Sequence, residues 1–457
     1  DIAEAEEFLM KTSSELKAIN DEIFSEENKP LRKMSFETPE YEETILNMAD
    51  KYLTDEEIIE KVQKWMNDDK IKSLVNAVEN YDTSLAVISE ELRKHYSLTS
   101  RKNEVSTSIE KGLRVSLIRR FFTEEIQYIS NAKEYVDLQD FFNLIDRIVM
   151  IPSSHGKLGG KSAGLFLASK IISKFSSENE FLKGIIIPKT WFIPSDGIMY
   201  FVQYNNLEEI IEQKYKDIDE IRKEYPHIVR SFKNSQFPPE MAQGLSNALD
   251  DLGEMPLIVR SSSLLEDQVG AAFSGKYKSL FLANQGTKQE RLNALFDAIA
   301  EVYASTFNPD AIEYRAERGF LDFHEEMGIM IMQVVGNKVG NYFFPSFAGV
   351  AFSNNEFRWS PRIKREDGLV RLVPGLGTRA VDRVSDDYPL LLAPGQPNLR
   401  VNPTVEEMLK YSPKKIDVIN LRSNEFETKE ISDLIGDVWD LYPYINNILS
   451  VINEDNI

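Results

Sequence analysis

His155-Gly156-Lys157-Leu158-Gly159-Gly160-Lys161-Ser162-Ala163-Gly164-Leu165 puts four glycines and two lysines between an apolar run, Arg147 to Ile151, and a helix-like pattern from Leu165 to Phe175. Glycine lets a backbone turn tightly and approach an anion closely, while the N–H groups of a helix start and a lysine ammonium add positive potential. A polyphosphate is the guest this layout suits. The obvious rival is a Walker A loop, which needs glycine five residues before Gly160, where this chain has His155. Read alone, the stretch is equally a solvated glycine-rich turn that caps a helix.

Composition sets the frame for that loop. A chain of 457 residues with 42% hydrophobic content has room for roughly three packed domains. The net charge of −21 argues against an extended nucleic-acid or anionic-membrane surface, so any phosphate site is local. There is no cysteine, which excludes disulfides and thiolate metal sites, and His95, His155, His227 and His324 are too scattered for a histidine-rich metal centre. A cytoplasmic location fits. The longest apolar runs are far short of a membrane span, and the acidic start has no signal-peptide features. A first residue of Asp1 rather than Met suggests a piece of something longer.

Outward from the loop, three regions are expected. Residues 1–145 read as an all-helical N-terminal domain without chemistry of its own, a regulatory or docking unit that makes no nucleotide contacts. Thr54-Asp55-Glu56-Glu57 is a capping box that opens a helix expected to end near Asn67-Asp68-Asp69. Residues 146–402 mix strands, helices and Gly/Pro punctuation. In that region Gly184 to Pro194 reads as buried strand, Leu207 to Tyr225 as a charged surface helix, and Arg291 to Phe307 as a long helix. Residues 403–457 read as a C-terminal extension or a linker toward absent domains.

Within the middle region, Pro256-Leu257-Ile258-Val259 runs into Arg260-Ser261-Ser262-Ser263, with Glu266-Asp267 and Ala271-Ala272-Phe273-Ser274-Gly275 following. An arginine at a strand end beside three hydroxyls is a donor set matched to phosphate oxygens, although a surface turn uses the same small residues. Met327 to Val335 is an apolar strand, with Ala348 to Ser353 its expected hairpin partner. The pair forms either a purine slot or ordinary methionine-filled core. In Gly375-Leu376-Gly377-Thr378 and the charges after it, Asp382, Asp386 and Asp387 are spaced to hold a magnesium ion, or to pair on the surface with Arg379 and Arg383.

Taken in this order, these stretches resemble the N-terminal ATP-grasp domain of the phosphoenolpyruvate synthase and pyruvate phosphate dikinase family, which rifampicin phosphotransferases and glucan water dikinases share. Gly159-Gly160-Lys161-Ser162-Ala163-Gly164-Leu165 looks like its glycine-glycine-lysine motif, and Val259-Arg260-Ser261-Ser262-Ser263 like its valine-arginine-serine-serine motif. Tyr314-Arg315 with Gly319-Phe320 resembles the arginine-bearing segment, Gln333-Val334-Val335 the adenine hinge, and Gly375-Leu376-Gly377 the metal-site turn. The likeness covers about residues 150 to 400. It implies an α+β fold in which a two-lobed ATP-grasp domain follows the helices.

By this resemblance Gly159, Gly160, Lys161 and Ser261 would cradle phosphates, and Arg260 and Arg315 would hold the β- and γ-phosphates. Gln333 and Val335 would then face adenine. The implied reaction uses ATP and Mg²⁺, cleaves ATP to AMP, and passes the β-phosphoryl group to a histidine on a swivelling domain supplied in cis or trans, with a further acceptor domain. Catalysis would rest on cations arrayed around spreading negative charge. Two departures stand out. Thr378 occupies the place of the family's metal-binding glutamate, which turns attention to Asp387 first and Asp382 next, and no phosphocarrier histidine motif occurs in the chain. The alternative function is a regulatory nucleotide-binding module, weakened in catalysis, that acts through its helical part.

Overall fold

The structure, a computed structural model, describes residues 49, 51, 53–99, 107–263, 275–322, 327–381, 387–438 and 441–442. His324, Glu266, Asp267, residues 271–274, Asp382, Arg383 and Asp386, all named above, lie outside the described residues. Helix and sheet are mixed, and the named strands pair antiparallel, in keeping with an α+β fold.

Helix α1 (Asp55–Glu79) opens on the expected capping box: Thr54 Oγ1 accepts the Glu57 N–H, and the Glu57 carboxylate accepts the Thr54 N–H at 2.8 Å. It does not end at Asn67-Asp68-Asp69 but runs to Glu79. Asn and Asp lower helix propensity by well under ~1 kcal/mol each, and no glycine or proline interrupts this stretch. Helices α2 (Leu85–Thr99), α3 (Thr107–Phe121), α4 (Ile126–Ala132) and α5 (Leu138–Ile145) follow. Their buried Leu92, Leu117, Phe121 and Phe141 share one core with Ile148, Leu158, Phe166, Phe192 and Met330. The break expected after residue 145 therefore falls inside a core. Backbone bonds reinforce it, with the Leu158 N–H donating to Phe121 O at 2.8 Å and the Leu85 N–H to Ser154 O at 2.7 Å. The helices form the wall on which the glycine-rich loop is set.

Next in the chain come α6 (Gly160–Phe175), β1 (Thr190–Ile193), α7 (Gly197–Tyr204), α8 (Ile218–Lys233), α9 (Pro239–Leu252), β2 (Leu257–Ser263), β3 (Ser279–Leu282), α10 (Lys288–Ala304), α11 (Pro309–Glu317) and β4 (Met327–Gln333). The four strands form one sheet in the order β1-β4-β2-β3, and register places Leu257 opposite Gln333 and Arg260 opposite Met330. Val259, Ile329 and Ile331 turn into the largest core with Phe201, Leu249, Ile299 and Tyr303. Only Thr190–Ile193 of the strand expected from Gly184 is paired. The charged helix expected from Leu207 is split: a 3₁₀ turn, Glu208–Tyr215, stops before Asp217, whose side chain caps the new helix by accepting the Asp219 N–H.

Beyond β4 the chain builds β5 (Asn337–Val339), β6 (Tyr342–Phe344), β7 (Phe347–Phe352), β8 (Leu369–Pro374), α12 (Thr378–Val381), β9 (Leu390–Leu392), α13 (Val405–Tyr411), β10 (Lys415–Asn420), β11 (Glu425–Glu430) and α14 (Ile431–Val438). Two further sheets result, β11-β10-β6-β5 and β7-β8-β9. The expected hairpin of the 327–335 and 348–353 strands does not form. The two-residue turn Gly340-Asn341, with Gly340 at φ +60°, closes a β5/β6 hairpin between them, and β7 pairs with β8 in another sheet. Residues 415–430, expected to be extension or linker, supply two sheet strands. An apolar seam of Ile258, Val334, Phe343, Leu376 and Ile419 joins the first sheet to the second and to the Gly375-Leu376-Gly377 turn.

Candidate phosphate site

Gly159 caps α6 at φ +85°, and a Cβ there would lie 1.7 Å from the Ser262 carbonyl oxygen. That approach brings the Ser162 N–H to Ser262 Oγ at 3.1 Å, with the two serine hydroxyls 3.0 Å apart. Gly328 on β4 closes the other side, because a Cβ there would meet Leu158 O at 2.7 Å. The start of α6 is thus pressed onto β2. Lys161 Nζ donates to both Ser261 O and Ser261 Oγ at 3.1 Å, across 100 positions of sequence. Arg260 is the next residue on the strand, half-buried, and its buried Nε has no hydrogen-bond acceptor.

The period of two along a strand puts Arg260 on the same face as Ile258, which packs in the seam beside Leu376. Arg260 therefore stands on the face of the first sheet that packs toward the Gly375-Leu376-Gly377 turn, one residue before the Ser261 that Lys161 reaches. An unmade hydrogen bond from a buried donor costs about 1–3 kcal/mol, and an anionic oxygen placed beside Arg260 would satisfy it.

Asp196 is the residue the sequence reading missed. Its Oδ2 accepts the His155 N–H at 2.7 Å and the Gly156 N–H at 3.0 Å, and its Oδ1 accepts Ser154 Oγ at 2.7 Å. Ser195 Oγ accepts the Lys157 N–H at 3.0 Å, and the Ser195 N–H returns a bond to Lys157 O at 2.8 Å. The first half of the glycine-rich loop already holds a carboxylate, which leaves the Gly159-Gly160-Lys161 end for a guest. Ser195-Asp196 before a helix reads locally as a cap, yet Asp196 makes no side-chain cap bond to α7. Its partners lie some 40 residues upstream. Asp196→Ala should speed amide hydrogen exchange at His155 and Gly156 and weaken ATP binding by about 1–2 kcal/mol, while Asp196→Asn keeps an acceptor and loses less. Exchange at wild-type rates in Asp196→Ala would deny the anchor.

The other expected residues sit farther from the loop. Arg315, on α11 and 4% exposed, donates through Nη2 to Thr306 O at 2.7 Å. Burial, then the Arg315 charge, pushes the Lys214 ammonium down, against the opposing pull of Asp322 and Glu212. Gln333 ends β4 with its backbone N–H on Lys189 O at 3.0 Å and its side-chain Nε2 on Leu252 O at 2.9 Å; Val335 is exposed. The β2/β4 register puts Gln333 three positions, about 10 Å, from the level of Arg260.

Of the expected magnesium ligands, Thr378 and Asp387 are described and both make hydrogen bonds within the protein, while Asp382 lies outside the described residues. Thr378 Oγ1 donates to Asp417 Oδ2. Asp387 Oδ1 accepts the backbone N–H groups of Tyr388 and Lys414, and Oδ2 accepts that of Lys415, each at 3.0 Å, with Arg379 Nε 3.6 Å from Oδ2. These oxygens are already engaged. Among the described residues no three His, Asp or Glu side chains converge as a metal set.

A mixed α+β chain thus sets a glycine-capped helix, Lys161 and Arg260 at an interior strand of its first sheet. The family model for the pyruvate phosphate dikinase AMP/ATP-binding domain matches residues 155–437, and the chain belongs to that family. Phosphoenolpyruvate synthase of Aquifex aeolicus is 25% identical over 193 residues, 40% of this chain and 21% of that protein. The Escherichia coli enzyme of the same name is 26% identical over 173 residues, 36% of this chain and 20% of its own length. Rifampicin phosphotransferase of Bacillus subtilis is 24% identical over 202 residues, 43% of this chain and 20% of that protein. The chain thus spans about a fifth of the length of these relatives. No described helix is long and apolar enough to cross a membrane.

Proposed function

We propose that this chain is the ATP-binding module of a dikinase-type phosphotransferase, which cleaves ATP to AMP, passes the β-phosphoryl group to a histidine on a separate swivelling domain and gives up the γ-phosphoryl group to water as inorganic phosphate. The observation that carries the reading is the convergence of Lys161 on Ser261 beside the unsatisfied Nε of Arg260, at the glycine-capped start of α6. In this reading the first sheet and the sheets beyond β4 are the two lobes of an ATP-grasp fold. Adenine lies toward Gln333 and the phosphates toward Lys161 and Arg260. Arg315 would hold the terminal phosphates. Phosphoryl transfer needs little covalent help from protein, so these cations would act by stabilising charge as the bond to the leaving oxygen lengthens.

The engaged oxygens of Asp387 and Asp417 favour a second reading, a regulatory nucleotide-binding module whose helices serve as the partner surface. Incubation with β-labelled ATP, magnesium and the phosphohistidine domain of a relative separates the two. Label on the histidine, lost in Arg260→Ala, is expected of the transferase. Nucleotide binding without label transfer would replace it with the regulatory module.

A further inference from the structure

We infer that Arg379 is the resident cation of the Gly375-Leu376-Gly377 turn, an internal counter-ion that takes the place of a divalent metal there. Asp387 is 7% exposed, Asp417 2% and Arg379 8%, so three charged groups are buried together. Buried carboxylates stay ionised only when paired and hydrogen-bonded. The guanidinium lies between them, with Nε 3.6 Å from Asp387 Oδ2 and Nη1 4.0 Å from Asp417 Oδ1. Hydrogen bonds add to the compensation on both sides. Three backbone N–H groups serve Asp387, while Thr378 Oγ1 and Thr428 Oγ1, the latter at 2.7 Å, serve Asp417.

The backbone locks the same corner. The Leu376 N–H donates to Asp417 O at 2.9 Å, and Gly375, at φ +68°, lies so close that a Cβ would sit 2.4 Å from that oxygen. A small hard cation demands oxygens with open lone pairs at ~2.0–2.1 Å in near-octahedral array, and a guanidinium already between the carboxylates repels it. Threonine at 378 belongs to this arrangement. It donates a proton where a glutamate would set a third carboxylate against Asp417. Nucleotide binding by this chain therefore does not run through a metal held by Thr378, Asp387 and Asp417. That consequence rests on the nucleotide reading; the counter-ion itself does not.

The test uses the whole chain and Mn²⁺ alone, followed by electron paramagnetic resonance, with thermal melts in parallel. The wild type is expected to show no bound Mn²⁺ that Asp387→Asn removes. Thr378→Glu is expected to melt several degrees lower and to gain no Mn²⁺ affinity. A wild-type Mn²⁺ site abolished by Asp387→Asn would overturn the inference, as would a Thr378→Glu chain that binds Mn²⁺ at least tenfold more tightly without a loss of melting temperature. Because no nucleotide is present, a chain that binds no ATP would leave this result standing and strike only at the proposed function.

Discussion

Lys161→Ala and Arg260→Ala are each expected to weaken ATP binding by about 1.5–3 kcal/mol, roughly 10- to 150-fold, with melting temperatures close to wild type. The reasoning is geometric. Lys161 Nζ reaches β2 through Ser261, and Arg260 presents a buried Nε with no acceptor. Each loses a charge-assisted bond to phosphate, and Lys161→Ala also loses its two bonds to Ser261, while the packing of α6 on β2 is still carried by Gly159, Ser162 and Ser262. Calorimetric titration and thermal melts on the same samples read both quantities. A large fall in melting temperature with unchanged affinity would make the pair a structural brace.

Gly159→Ala is expected to do the opposite, to damage the fold and the site together. An L residue at φ +85° carries about 1–3 kcal/mol of strain, and its Cβ would overlap the Ser262 carbonyl oxygen. Since that oxygen belongs to a central strand, relief requires α6 to back away from β2, taking Lys161 with it. A total loss beyond about 4 kcal/mol follows. Gly164→Ala is the control: it lies in the interior of the same helix, with no atom within 4 Å of where its Cβ would stand, and should raise stability by about 0.4–1 kcal/mol. If Gly159→Ala melts like wild type and still binds nucleotide, the close contact between helix and strand is not what builds the site.

How much of this the sequence announced depends on the range of the interaction. The glycine-rich loop and the Thr54 capping box are local patterns that appear where their residues predict, whereas Arg260, expected at a strand end, lies inside Leu257–Ser263, because its three serines continue the pairing with β4. Asp196 was invisible because its carboxylate serves amides some 40 positions away, and nothing local distinguishes it from a helix cap. Asp417 was hidden for the same reason, 39 positions from the Thr378 hydroxyl it accepts. The helices before residue 146 looked self-contained because amphipathic periodicity shows that a face is buried, not what buries it. In the structure Phe121 and Phe141 meet Leu158 and Phe166 from the phosphate-loop segment. The misassigned hairpin has another cause, a two-residue glycine turn that inserts β5 and β6 between two strands that would otherwise be neighbours.

The most direct measurement is a crystal structure of the chain with a non-hydrolysable ATP analogue. The account predicts phosphate oxygens within about 3 Å of Lys161 Nζ and Arg260 Nε, with the base toward Gln333. Phosphates bound away from Lys161 and Arg260, or a folded chain that takes up no nucleotide at all, would contradict it.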